Sequence, residues 1–152
     1  MTTAGDDRTG PVLVVEDDPA AIRLIEESFE EMERPVDYVV VTDGVEAFDF
    51  LHRRGDHADA PRPSLVLLDL GLPAKNGQQV LTEIREDPAL RLLPVVVLSA
   101  RDDAETIAEC YANGANAYIT KPEDYELLLD KLETLVEFWG RTTEPPPPPR
   151  TC

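Results

Sequence analysis

Lysine is nearly missing from this 152-residue chain, which carries it only at Lys75, Lys121 and Lys131. Basic residues number 14 against 31 acidic ones, a formal charge of −17. A chain so poor in positive charge is repelled by a phosphate backbone before any base is read, which argues against direct nucleic-acid binding. Cysteine is equally scarce. Cys110 and Cys152 lie far apart without metal-ligand spacing, so reduced thiols are expected, with Cys110 buried on a helix. Long apolar runs are absent too. The longest reach strand length, against the roughly 20 residues of a membrane span, and residues 1–10 lack the apolar region of a signal peptide. These absences predict a soluble, cytoplasmic protein without a membrane partner. The length fits one domain with a real core.

Two explanations compete for the acid: a surface for one basic partner, or a solvating coat. Acids occur in every predicted helix and form no terminal block, which favours the coat. Such an acid-rich, lysine-poor surface resembles that of proteins from salt-loving microbes. His52 and His57 sit in a polar connection without partner ligands and read as ordinary surface histidines.

Five apolar runs alternate with five amphipathic segments. Strands are predicted over 11–16, 37–42, 64–69, 94–99 and 116–120, and helices over 19–33, 44–54, 77–86, 102–113 and 124–139. Strict alternation implies parallel strands joined by crossovers, with helices on both faces. Asp18-Pro19 supplies a helix cap and a first-turn proline. Asp87-Pro88 ends the third helix, and Asn113-Gly114 stops the fourth. His52–Pro63 is a surface loop. A polar tail over 1–10 and a proline-rich tail over 141–152, both read as disordered, flank a domain of 11–140; prolines 145–149 cannot continue a helix. The stripe Leu128, Leu129, Leu132, Leu135, Val136 and Trp139 on the last helix reads as core packing.

The chemistry concentrates at strand ends. Leu65–Leu68 runs straight into Asp69, the first strand ends in Glu16-Asp17-Asp18, the fourth ends at Ser99, and Lys121-Pro122 follows the fifth. Open parallel sheets bind ligands at this edge. If the first and third strands are neighbours, Glu16, Asp17 and Asp69 converge, and their repulsion calls for a hard divalent cation such as Mg²⁺. Asp18 is explained by capping alone. Lys121 among these acids is placed to pair with a phosphoryl group.

The ordered set Glu16-Asp17, Asp69, Pro73, Gly77, Ser99-Ala100, Tyr118 and Lys121-Pro122 resembles the receiver domains of two-component response regulators. The resemblance covers residues 11–139. It implies a flavodoxin-like (βα)5 sheet of order 2-1-3-4-5. It implies that Asp69 is the phosphoacceptor, that Asp17, Asp69 and the Gly71 carbonyl ligate Mg²⁺ with Glu16 acting through water, and that Lys121 and Ser99 contact the phosphoryl group. Tyr118 would follow Ser99 as the switch aromatic, and the Lys121-Pro122 bond would be cis. The implied partners are a sensor histidine kinase or phosphotransfer protein and a downstream protein target. A homodimer through the fourth helix, fifth strand and fifth helix, the face ending in Phe138 and Trp139, is also expected. The sequence around 58–70, the stretch 77–99 and the ending Val136–Trp139 resemble small stand-alone receivers paired with phytochrome-type kinases.

Two positions depart from the common pattern. Gly71 replaces a bulkier residue, and Ser99 stands where threonine is frequent. Other classes fit less well. A haloacid-dehalogenase-like phosphatase needs a second acid where Gly71 stands, and a flavodoxin needs a Ser/Thr- or Gly-rich phosphate loop where Glu16-Asp17-Asp18 stands. The chain is therefore expected to be a phosphoacceptor rather than an enzyme acting on other substrates.

Overall fold

The computed structural model describes residues 10–72 and 75–147. Five strands, β1 (Val12–Val15), β2 (Tyr38–Val41), β3 (Leu65–Leu68), β4 (Val95–Ser99) and β5 (Ala117–Thr120), alternate with five helices. These are α1 (Pro19–Glu31), α2 (Gly44–Leu51), α3 (Gly77–Glu86), α4 (Ala104–Ala112) and α5 (Tyr125–Glu137). The strands form one parallel sheet of order β2-β1-β3-β4-β5. The parallel strands follow from the alternation, and the flavodoxin-like order is the one the resemblance implies.

Period-two alternation divides the central strands between two cores. Leu13, Val15, Val66, Leu68, Val95 and Val97 belong to a core shared with residues of α2 and α3. Val12, Val14, Leu65, Leu67, Val96 and Leu98 pack with Ile25 and Phe29 of α1 and Leu128, Leu132 and Leu135 of α5. β1, β3 and β4 are thus buried on both faces, which is why they read as unbroken apolar runs. The edge strands β2 and β5 are only partly covered.

Helix starts follow side-chain chemistry. Asp18, Asp43, Asn76, Asp103 and Asp124 each accept a backbone N–H at the start of their helix, and Asn76 with Gln79 completes a capping box. Several helices are shorter than the sequence predicts. Asp103 and Asp124 are caps rather than helical residues, so α4 and α5 start later than expected. α2 stops at Leu51 because Arg53 takes φ 57°, as Gly55 does after it. α1 stops at Glu31, and Met32 is already extended. Gly114, with φ 106°, provides the expected stop after α4.

Phe138–Thr142 forms a wide, π-helical turn, and the chain is placed through Pro147. The rest of the proline-rich tail (148–152), like residues 1–9, lies outside the described residues. The loop at His52–Pro63 includes a one-turn 3-10 helix at Gly55–His57. Both histidines have carboxylate partners: His52 lies 2.9 Å from Asp87 and His57 3.3 Å from Glu46. Cys110 is free and buried, as expected. Among the described residues no helix is long and apolar enough to cross a membrane.

Candidate functional site

The ladder carries the functional residues to one edge. Val15 pairs with Leu68, and the Asp69 N–H donates to the Val15 carbonyl at 3.0 Å, so the residues after β1 and β3 emerge side by side. Ser99 pairs with Thr120, and the Lys121 N–H donates to the Ser99 carbonyl at 2.7 Å. The result is one cluster. Glu16, Asp17 and Asp69 offer carboxylate oxygens that all lie within 4.8 Å of one another. Lys121 Nζ enters from β5, 2.7 Å from Glu16 Oε1 and 3.4 Å from Asp69 Oδ1.

The three acids differ in setting. Glu16 is 2% exposed, and both of its oxygens are engaged, the second accepting the Asp18 N–H at 3.2 Å. Burial pushes its carboxyl above the usual range, and the neighbouring Asp69 charge adds to this, against the Lys121 hydrogen bond. Burial alone would lower Lys121, but Glu16 and Asp69 outweigh it and hold the ammonium above its ordinary value. Asp17 is exposed and Asp69 half-buried, so both present oxygens toward solvent. Asp18 turns away to cap α1 through the Ala20 N–H at 3.2 Å, as its position predicts.

The loops around Asp69 are shaped by small residues. A Cβ on Gly77 would lie 2.5 Å from the Asp69 carbonyl oxygen and 2.6 Å from Leu70 Cα, so only glycine lets α3 start this close to the loop after β3. The Gly77 N–H donates to the Leu70 carbonyl at 3.0 Å. Above Gly71 space is open: the nearest atom to an added Cβ is Asp69 Oδ2, at 3.8 Å. Pro73, part of the sequence pattern, lies outside the described residues.

Ser99 is buried, and its hydroxyl accepts the Arg101 N–H at 3.1 Å. Tyr118 donates its hydroxyl to the Arg101 carbonyl at 2.7 Å. One backbone residue therefore joins the hydroxyl and the aromatic ring, a role that sequence reading missed. Main-chain donors and acceptors leave no mark on residue type; only the position two residues after Ser99 pointed to it. The Lys121-Pro122 bond corrects the expectation of a cis peptide, since no cis bond occurs among the described residues. The trans form of an X–Pro bond is intrinsically favoured by about 0.5–1 kcal/mol, and with it the lysine already reaches both acids.

Acids at the ends of β1 and β3, a lysine after β5 and a hydroxyl at the end of β4 suit one chemistry, acceptance of a phosphoryl group beside a cation. The sequence profile of the response regulator receiver domain matches residues 12–133. The chain belongs to this family.

Receiver domains accept a phosphoryl group on an aspartate in a divalent-cation-dependent reaction and act as signalling domains. Response regulator Rcp1 of Synechocystis sp. is 35% identical over 135 residues, spanning 89% of this chain and 92% of that protein. Among solved structures, the phosphorylated cyanobacterial phytochrome response regulator RcpA is 41% identical with a TM-score of 0.85, covering 91% of this receiver and 99% of that chain. The Mn²⁺-bound form of Rcp1 is 34% identical with a TM-score of 0.82, over the same shares. The phytochrome-associated likeness read from the sequence is met among the solved structures, in RcpA.

Proposed function

We propose that Asp69 is the phosphoacceptor of this receiver, and that it takes its phosphoryl group from a phosphohistidine on a sensor kinase or phosphotransfer protein. The observation that carries this reading is the convergence of Asp69 with Glu16, Asp17 and Lys121 at the carboxyl edge of the sheet. An Asp69 oxygen forms the new O–P bond as the N–P bond of the donor breaks, and the departing imidazole nitrogen keeps the electron pair. Lys121 draws the phosphoryl oxygens toward β5. Positioning and charge neutralisation suffice, so no separate general base is required.

The donor set suits Mg²⁺: hard carboxylate oxygens, crowded enough for burial and mutual repulsion to raise Glu16. Asp17, Asp69 and the Gly71 carbonyl would hold the ion, with Glu16 acting through water. When bound, the ion neutralises charge that builds on the phosphoryl oxygens. Ser99 leaves the Arg101 amide to bond the phosphoryl group, and Tyr118 follows through the Arg101 carbonyl.

Output runs through protein contacts in the cytoplasm, and the domain turns over no substrate other than its own phosphoryl group. The likeness to RcpA, a phytochrome response regulator, supports a phytochrome-type kinase as the donor to test first. The β5–α5 face supports a homodimer. It carries a groove of about 560 Å³ lined by Tyr118, Ile119, Leu135, Phe138 and Trp139, with Phe138 45% exposed.

Incubation with a small-molecule phosphodonor tests the reading. An acid-stable, base-labile adduct that requires Mg²⁺ is expected. No adduct in the presence of Mg²⁺, or equal labelling in excess chelator, would contradict it.

A further inference from the structure

We propose that the proline-rich segment after α5 is an intramolecular strap, with Pro145–Pro147 docked at the amino-terminal edge of the sheet, at the opposite end of the molecule from Asp69. Pro145 and Pro146 are half-buried although they belong to no helix or strand. They share the lining of a groove of about 470 Å³ with Pro61, Pro63, Leu93 and Pro94. Those residues immediately precede β3 and β4, so the groove lies across the start of the central strands.

Three features favour this placement. The exit from α5 is directed: the Thr143 N–H donates to the Phe138 carbonyl at 2.9 Å, and the Thr142 and Thr143 hydroxyls donate to the Glu137 and Trp139 carbonyls at 3.3 and 3.2 Å. The floor of the groove is tightly joined. Ser64 Oγ donates to the Gly10 carbonyl at 2.7 Å, and a Cβ on Gly10 would lie 1.9 Å from the Arg62 carbonyl oxygen. The occupant suits a surface to which Pro61, Pro63 and Pro94 contribute apolar rings and Leu93 an apolar side chain. Consecutive prolines have no N–H to satisfy and hold φ fixed, so docking sacrifices little conformational freedom.

The strap ties the end of α5, with Phe138 and Trp139, to the base of β1, β3 and β4. Its seat is remote from Asp69, so it holds in both phosphorylation states and does not depend on the phosphoacceptor reading.

The chain supplies its own probe. Cys110 is fully buried, so a thiol-reactive nitroxide on the folded protein goes to Cys152. Cys152 is five residues beyond Pro147, a reach of at most about 18 Å. Paramagnetic broadening is expected to be strongest at the amides of Gly10, Arg62, Ser64 and Leu93, and weak at Glu16, Asp69 and Lys121. Replacing Pro145, Pro146 and Pro147 together with glycine should abolish this selectivity. Even broadening at both ends of the sheet in the native protein would overturn the strap. Selectivity that survives the triple glycine replacement would overturn the role of the prolines.

Discussion

At the residue scale, neighbouring acids have separate tasks. Asp17 is an exposed member of the carboxylate cluster, whereas Asp18 spends its side chain on the α1 cap. Asp17→Ala should weaken Mg²⁺ binding far more than Asp18→Ala, and Asp18→Ala should cost about 1 kcal/mol of stability through the lost cap. Calorimetric titration and denaturant unfolding of both variants check this; the reverse order of affinities would refute the division. Gly77 is the other single-residue constraint. Gly77→Ala places a methyl against the Asp69 and Leu70 backbone, with an expected loss of about 1–3 kcal/mol in unfolding measurements and slower labelling of Asp69. The convergence of Glu16, Asp17, Asp69 and Lys121 was legible because they sit at strand ends that the apolar runs mark. The Arg101 backbone link, the direct Glu16–Lys121 pair and the trans Lys121-Pro122 bond were not, because each depends on how loops close in space.

At the element scale, the strands were legible nearly to the residue, since burial on both faces demands unbroken apolar runs. Helix ends were less so. The same aspartate fits the last capping position or the first helical one, and Arg53 at positive φ has no signal in its side chain. The α4 cap yields a pH prediction. Hydrogen bonds from the Thr106 hydroxyl and amide, with one from Arg101, hold Asp103 down to about 2, from an ordinary value of 3.8. A lowered carboxylate adds stability that is complete above its unfolded value and is lost as pH falls through its folded one. The cap's contribution should therefore disappear between about pH 4 and pH 2. A carboxyl titration followed by NMR should place Asp103 near the lower figure; an ordinary value would break the assignment. For α5, Phe138→Ala and Trp139→Ala should weaken self-association measured by sedimentation, with and without beryllofluoride as a phosphoryl mimic. A monomer in every state would leave only a heterologous partner for that face.

At the scale of the whole molecule, a charge of −17 works against the compact state. Molar KCl screens this repulsion, because the Debye length falls to about 3 Å at 1 M salt, so the melting temperature should rise with added KCl. A flat or falling value would argue against a salt-adapted coat. The site itself is a property of the whole fold: the strand order brings the ends of β1 and β3 together, and β4 and β5 then deliver Ser99 and Lys121 beside them. The most direct test of that assembly is intact-mass analysis of the native protein and Asp69→Asn after incubation with phosphodonor and Mg²⁺, with each fold checked by circular dichroism. The native chain should gain the mass of one phosphoryl group and the folded variant none. Equal labelling of the variant would contradict the assignment of Asp69 as the phosphoacceptor.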